Sequence, residues 1–145
     1  MIKEISAFET FLVRHPVLRA DKNIETCVFD GDDLETTKHF GYFINEKLIG
    51  VASIYQYRNL NFLELNQLQL RGMAILKNHQ KNGFGEKLLN YCEYYANKNQ
   101  IELIWFNARE IAIPFYEKLG YSIFGSFFET PEIGNHIVMF KRFVY

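Results

Sequence analysis

Along this chain, stretches in which apolar and polar residues alternate are interrupted by stretches where apolar residues recur at helical spacing. Ile2 to Ala7 reads as a short strand. Phe8 to Leu18 fits a helix that Pro16, which lacks an amide hydrogen, would end early. Residues 39–45 and 48–57 form two strands of a hairpin that turns at Asn45-Glu46-Lys47. Residues 63–76 alternate strictly at Leu63 and Leu65, then slip by one position to Leu68 and Leu70. With Gly72 close by, that slip predicts a β-bulge.

The second half opens with a polar, glycine-containing loop, residues 77–85. Leu88, Leu89, Cys92, Tyr95 and Ala96 then mark an amphipathic helix. Residues 102–106, a continuous apolar run, read as a strand buried on both faces. Ala108 to Gly120 reads as a second helix closed by its glycine, and residues 121–128 and 136–143 as two further strands. Strand, glycine turn, helix, strand is a βαβ unit with a right-handed crossover, and the flanking hairpins make the sheet mixed. The class is α/β to α+β. With no repeat or linker, residues 1–145 form one domain.

Composition narrows the function classes. The chain is 48% apolar and 23% charged, which supports a packed core and excludes disorder. Sixteen basic residues against 17 acidic ones leave a net charge of -1, which argues against nucleic-acid binding by phosphate neutralisation. No apolar run approaches the roughly 18 residues of a membrane span. The N-terminus has no signal-peptide pattern, and the two cysteines, Cys27 and Cys92, are expected to be free thiols of a cytoplasmic protein. Fourteen Phe and nine Tyr imply a sheet-rich aromatic core or a lined cleft.

The loop Gln80-Lys81-Asn82-Gly83-Phe84-Gly85 opens a helix and has the chemistry of an anion cradle. Amides at a helix start lack intrahelical acceptors, glycines permit close approach, and Lys81 adds positive charge. The P-loop pattern is absent. A dinucleotide fingerprint fails because Leu88 stands at its third glycine position. On its own the loop is equally compatible with a plain glycine-rich turn.

The spacing Gln80-x-x-Gly83-x-Gly85 resembles the Q/R-x-x-G-x-G/A signature of the GNAT superfamily of acyl-CoA N-acyltransferases. Met73 to Leu76 precede it at the family's distance. Ala112 to Tyr121 (AIPFYEKLGY) resembles the family's A-x-x-F-Y-E-K-L-G-F helix, and the likeness runs from about His39 to the C-terminus. The resemblance implies a mostly antiparallel sheet with a splayed central strand pair. It implies an acetyl-CoA cosubstrate whose pantetheine arm pairs with the backbone of Met73, Ala74 and Ile75. Main-chain groups of Gln80, Lys81, Asn82, Gly83, Phe84 and Gly85 would hold the pyrophosphate. The implied activity is transfer of an acetyl group to a primary amine by direct attack; a non-catalytic acyl-CoA-holding module is the alternative.

Tyr116 falls on the family's tyrosine that donates a proton to the departing thiolate; otherwise it is a half-buried aromatic. A tyrosine near pKa 10 is a weaker acid than a thiol near 8.5, so full transfer is uphill by roughly 2 kcal/mol, and hydrogen bonding to the sulfur is the role to expect. The sequence departs from the family at two positions. Arg109 stands where many members carry an Asn, with Asn107 the nearest one; Arg109 would contact CoA phosphate or the acceptor, or be solvated. Gln69 stands where members with a glutamate base carry it, and it cannot take a proton. His136 is the best replacement base, ahead of His39 and Glu129, because an imidazole titrates near neutrality. The acidic cluster Asp30, Asp32, Asp33 and Glu35 reads as a solvated loop without the spacing of a calcium site, so no metal is expected. Whether Arg71 points into the splayed pair depends on the slip. The acceptor's identity, and whether the protein is a monomer or a homodimer, are left open.

Overall fold

The computed structural model describes residues 1–130 and 134–144. Its elements in chain order are β1 (Ile2–Ile5), α1 (Ala7–Leu18), β2 (Lys38–Ile44), β3 (Lys47–Tyr55), β4 (Gln67–Ile75), α2 (Phe84–Lys98), β5 (Leu103–Arg109), α3 (Ile113–Lys118), β6 (Ser122–Thr130) and β7 (Gly134–Arg142). The strands join one sheet in the order β1-β2-β3-β4-β5-β7-β6. The β4–β5 pair is parallel and the other pairs are antiparallel, which makes the expected mixed, mostly antiparallel α+β sheet. Among the described residues no helix is long and apolar enough to cross a membrane.

Local chemistry explains most boundaries. The first strand stops at Ile5 because Ser6 and Glu9 form a capping box: Ser6 Oγ accepts from the Glu9 amide at 3.1 Å, and Glu9 Oε1 accepts from the Ser6 amide at 3.0 Å. Contrary to expectation, α1 does not end early. Pro16 sits inside its last turn, where one missing donor costs a single bond, and the helix continues to Leu18. The β2–β3 hairpin turns on Asn45 and Glu46, both left-handed at φ 49° and 68°, as a two-residue turn between twisted strands requires.

Two sequence-based boundaries need correction. Leu63 and Leu65 are not strand residues; they are 91% and 71% exposed in the loop before β4. That loop is tied down by the Gln67 carboxamide, which donates to the Glu64 carbonyl at 2.9 Å and accepts from the Asn59 amide at 2.8 Å. Ala108 and Arg109 are likewise not helical but complete β5. A 3-10 turn over Glu110–Ala112 follows, and α3 starts at Ile113, where Pro114 falls in a first turn that needs no proline donor.

The sheet is covered on both faces. Leu88, Leu89, Cys92 and Ala96 of α2 pack with Ala52, Ile54, Leu68, Leu70, Ile104 and Phe106. On the other face, Val13 of α1 packs with Val51 and Ala74. Since strand side chains alternate, Leu68 and Leu70 facing α2 put Gln69 and Arg71 on the α1 face.

A bulge is present beside Gly72, but not at the slip that suggested one, because Leu63 and Leu65 lie in the loop before β4. Register slips between Val51 and Ser53, so Gly72 and Met73 together oppose Ala52. Gly72 is left-handed at φ +65°, and a Cβ there would stand 3.0 Å from Phe29 Cε2 and 3.2 Å from Arg14 Nε. Conformation and space both require glycine. The bulge bends β4 away from β5. The two strands pair only at Gln67–Leu103, Leu68–Ile104 and Gln69–Trp105, then diverge.

Candidate active site

The divergence of β4 and β5 opens a cleft of about 790 Å3 through the sheet. Five of the expected site residues, Met73, Asn107, Arg109, Tyr116 and His136, line it together with Gln69. Ala74 and Ile75 extend the same strand edge, but their side chains pack into opposite faces of the core. Arg71 lines the cleft, which resolves where its side chain lies.

The loop from Gln80 to Gly85 lies at the start of α2, beyond β4. The Gln80 side chain fastens this loop to the strand end, its amide donating to the Ile75 carbonyl at 2.9 Å. Asn82 donates within the loop, to the His79 and Gln80 carbonyls at 3.3 and 3.2 Å. Lys81 and Gly83 are both left-handed, at φ 66° and 82°, so the main chain curls into a concave run of amides. The first bond of α2 runs from the Lys87 amide to the Gly83 carbonyl at 3.2 Å, which leaves the amides of Phe84, Gly85 and Glu86 without an intrahelical acceptor. Phe84 anchors the loop against Tyr42, ring centroids 4.8 Å apart.

Tyr116 projects from α3 against Phe106, with ring centroids at 4.3 Å. Tyr116 lines the cleft, and among the described residues none hydrogen-bonds its hydroxyl. Burial pushes that hydroxyl up to about 12, and the neighbouring Cys92 adds to the shift. His136 approaches from β7, 7% exposed, with Nδ1 at 3.0 Å from the Gly134 carbonyl and its ring stacked on Phe128. It stands opposite Arg109 in the β5–β7 ladder, so both side chains lie on one face.

The β4–β5 pair splays, and an amide-lined helix start lies beyond the end of β4. The family model "Acetyltransferase (GNAT) family" matches residues 5–121. The chain belongs to the GNAT acetyltransferase family. One GNAT relative, the uncharacterized N-acetyltransferase YitI of Bacillus subtilis, is 35% identical over 140 residues, covering 97% of this chain and 94% of that one. Among solved structures, an aminoglycoside 6'-N-acetyltransferase complexed with coenzyme A matches with a TM-score of 0.78 at 15% identity, over 98% of this chain and 96% of that one. A ribosomal-protein-alanine N-acetyltransferase from Brucella melitensis matches with a TM-score of 0.76 at 13% identity, over 99% of both chains. These two likenesses show the GNAT fold on proteins named for unlike acceptors.

On the α1 face of the sheet, this GNAT chain carries a buried network that the sequence pattern does not reveal. Asp32 is not solvated with its acidic neighbours; it is 5% exposed and paired with Arg14 at 2.6 Å. Arg14 also donates to the Cys27 carbonyl, Ser53 Oγ and the Tyr55 hydroxyl, and Tyr55 donates to Asp32 Oδ1 at 2.6 Å. His39 belongs to this network through Ser53 Oγ and the Asp32 carbonyl, outside the cleft lining, and Glu129 is exposed on β6. Neither is placed to act as a base. The network holds Phe29 in the cleft wall, with the Arg14 guanidinium 4.0 Å from its ring centre. Cys27 and Cys92 are buried free thiols away from the cleft. Among the described residues no group of three or more His, Cys, Asp or Glu converges as metal ligands do.

Proposed function

We propose that the protein transfers an acetyl group from acetyl-CoA to a primary amine by direct attack in a ternary complex. The observation that carries this reading is the interrupted ladder. After Gln69 the β5-facing edge of β4 has no strand partner among the described residues, and residues 76–83 connect that strand to the amide-lined start of α2. An arm containing amide groups can complete the ladder as an added strand would, with its diphosphate on the helix start.

In this reading the thioester lies between Met73 and Tyr116. The amine nitrogen attacks the thioester carbonyl carbon, the C–S bond breaks, and the nitrogen's proton passes to His136 directly or through water. Tyr116 keeps its proton. With its hydroxyl near 12 and a thiol near 8.5, transfer to the thiolate is uphill by roughly 5 kcal/mol, so the hydroxyl stabilises charge on the leaving sulfur by donating a hydrogen bond and water protonates it. Gln69, on the opposite face from Tyr116, has an amide that can orient the amine but cannot take its proton.

Purified protein should melt higher with acetyl-CoA and nearly unchanged with NAD or ATP, since only a ligand preferring the native state stabilises it. Free-thiol release should then depend on an added amine. Acetyl-CoA binding without amine-dependent release would favour a holding module, the reading that Gln69 supports. Equal stabilisation by NAD would overturn the donor assignment.

A further inference from the structure

We propose that the amine acceptor carries an anionic group, carboxylate or phosphate, and that Arg71 reads it, with Arg19 assisting. This rests on the acetyl-transfer reading and adds the acceptor's class.

The cleft wall on the α1 face is cationic. Arg19, Arg71 and Arg109 line it, against one carboxylate, Asp21, among the described lining residues. Among the described residues, no carboxylate lies within ion-pair distance of Arg19, Arg71 or Arg109. Arg14, by contrast, is fully buried and its charge is matched by Asp32. Two classes of arginine therefore surround Phe29: one neutralised inside the protein, and two with charge directed at the cleft.

Arg71 is also held in place. Its guanidinium centre lies 5.2 Å from the Phe29 ring centre and 5.1 Å from that of Tyr55, and its Nη1 donates to the Asp30 carbonyl at 3.1 Å. A guanidinium fixed by two rings and one carbonyl keeps most of its donor fork for a ligand and has lost its rotamer freedom before the ligand arrives. Arg19 approaches the same ring at 5.9 Å. Arg71 is two residues from Gln69 on the same face, so an anion bound there holds a tethered amine beside the splayed strands.

The same charges bear on the missing carboxylate base. A cationic wall disfavours an ammonium ion and favours the neutral amine, which is the nucleophile. A polycationic acceptor meets net repulsion from a wall whose one carboxylate among the described lining residues is Asp21, while an amine tethered to an anion gains a charge-assisted pair.

The test uses matched acceptors with acetyl-CoA and thiol release as readout: ω-amino carboxylates of graded length against their amides, phosphoethanolamine against ethanolamine, and an aminoglycoside. The anionic member of at least one pair should win by about 10- to 100-fold in kcat/KM, the worth of one charge-assisted hydrogen-bonded contact. Arg71→Ala should bring the members of that pair to within a few-fold of each other, and Arg71→Lys should restore part of the preference. The acetyl-CoA melting shift of each variant verifies that it is folded. Equal rates within every pair, or preference for the aminoglycoside, would overturn this inference alone. Acetyl-CoA binding with no thiol release on any amine would overturn the transfer reading and this inference with it.

Discussion

Arg14 and Asp32 meet at 2.6 Å with side chains 0% and 1% exposed, joining α1 to the loop that precedes β2. The carboxylate also accepts from the Phe29 amide at 2.9 Å and the Tyr55 hydroxyl at 2.6 Å. The Arg14 Nε is buried beside Gly72 without a partner among the described residues. The pair thus links the cleft wall at Phe29 to the bulge at Gly72.

Breaking it should be expensive. Asp32→Asn leaves a buried guanidinium uncompensated, and such losses cost about 3–5 kcal/mol. Thermal melting at neutral pH should fall accordingly; a variant as stable as wild type would reduce the pair to an incidental contact.

The pH dependence follows from the same residue. Burial alone would raise the Asp32 carboxyl, but hydrogen bonds from Arg14, Tyr55 and the Phe29 amide outweigh it and hold it below the ordinary value. Its contribution is therefore fully present above the unfolded value near 4, and is lost as pH falls through the lower native one. Denaturant titrations should show this acid-side slope in wild type and its reduction in Asp32→Asn.

The two loop glycines should separate affinity from stability. At Gly85 a Cβ meets only Phe115 Cζ at an ordinary 3.6 Å, so Gly85→Val should fold yet bind acetyl-CoA at least about tenfold more weakly, its methyls occupying phosphate space. Gly83 has open space but φ +82°, so Gly83→Ala should cost about 1–2 kcal/mol as well. Calorimetric binding and melting together check both; unchanged affinity in Gly85→Val would move the phosphate elsewhere.

Tyr116→Phe deletes a hydroxyl without disturbing the ring contacts with Phe106 and Phe115. Turnover should drop by about 10²-fold while the acetyl-CoA dissociation constant stays within a few-fold, as for an interaction made in the transition state. With the hydroxyl pushed up to about 12, the wild-type rate should show no alkaline limb from this group below pH about 11. Wild-type turnover in the variant, where chemistry limits the rate, would leave Tyr116 a packing residue.

His136→Ala should flatten the acidic limb of the pH–rate profile if the imidazole takes the amine's proton. A retained limb would assign that limb to the amine itself.

The fold was legible because its determinants are local. Helical spacing marked α2, Gly72 marked the bulge although the alternation slip before it fell in a loop, and the apolar run marked the doubly covered β5. The capping signature Ser6-x-x-Glu9 was also available and would have placed the start of α1. The buried network was not legible, since Arg14, Asp32, Ser53 and Tyr55 are distant in sequence and meet only after three elements pack. An aspartate among Asp30, Gly31 and Asp33 looks solvated until its arginine is known. The roles of Phe29 and Arg19 escaped for the same reason.

Among the described residues, the seam between β4 and β5, where strands β1 to β4 meet strands β5 to β7, is zipped by three residue pairs and by the Glu102 amide, which donates to the Asn66 carbonyl at 2.9 Å just before them. What welds the two halves is instead the greasy layer beneath α2, where Leu68 and Leu70 share one cluster with Ile104 and Phe106. The rungs missing beyond Gln69 make this seam the sheet's mechanical weak line. A molecule that supplies them would act as a stitch, stiffening both halves at once. Amide hydrogens of residues 70–75 should then exchange more slowly in its presence, although no new protein contact has formed.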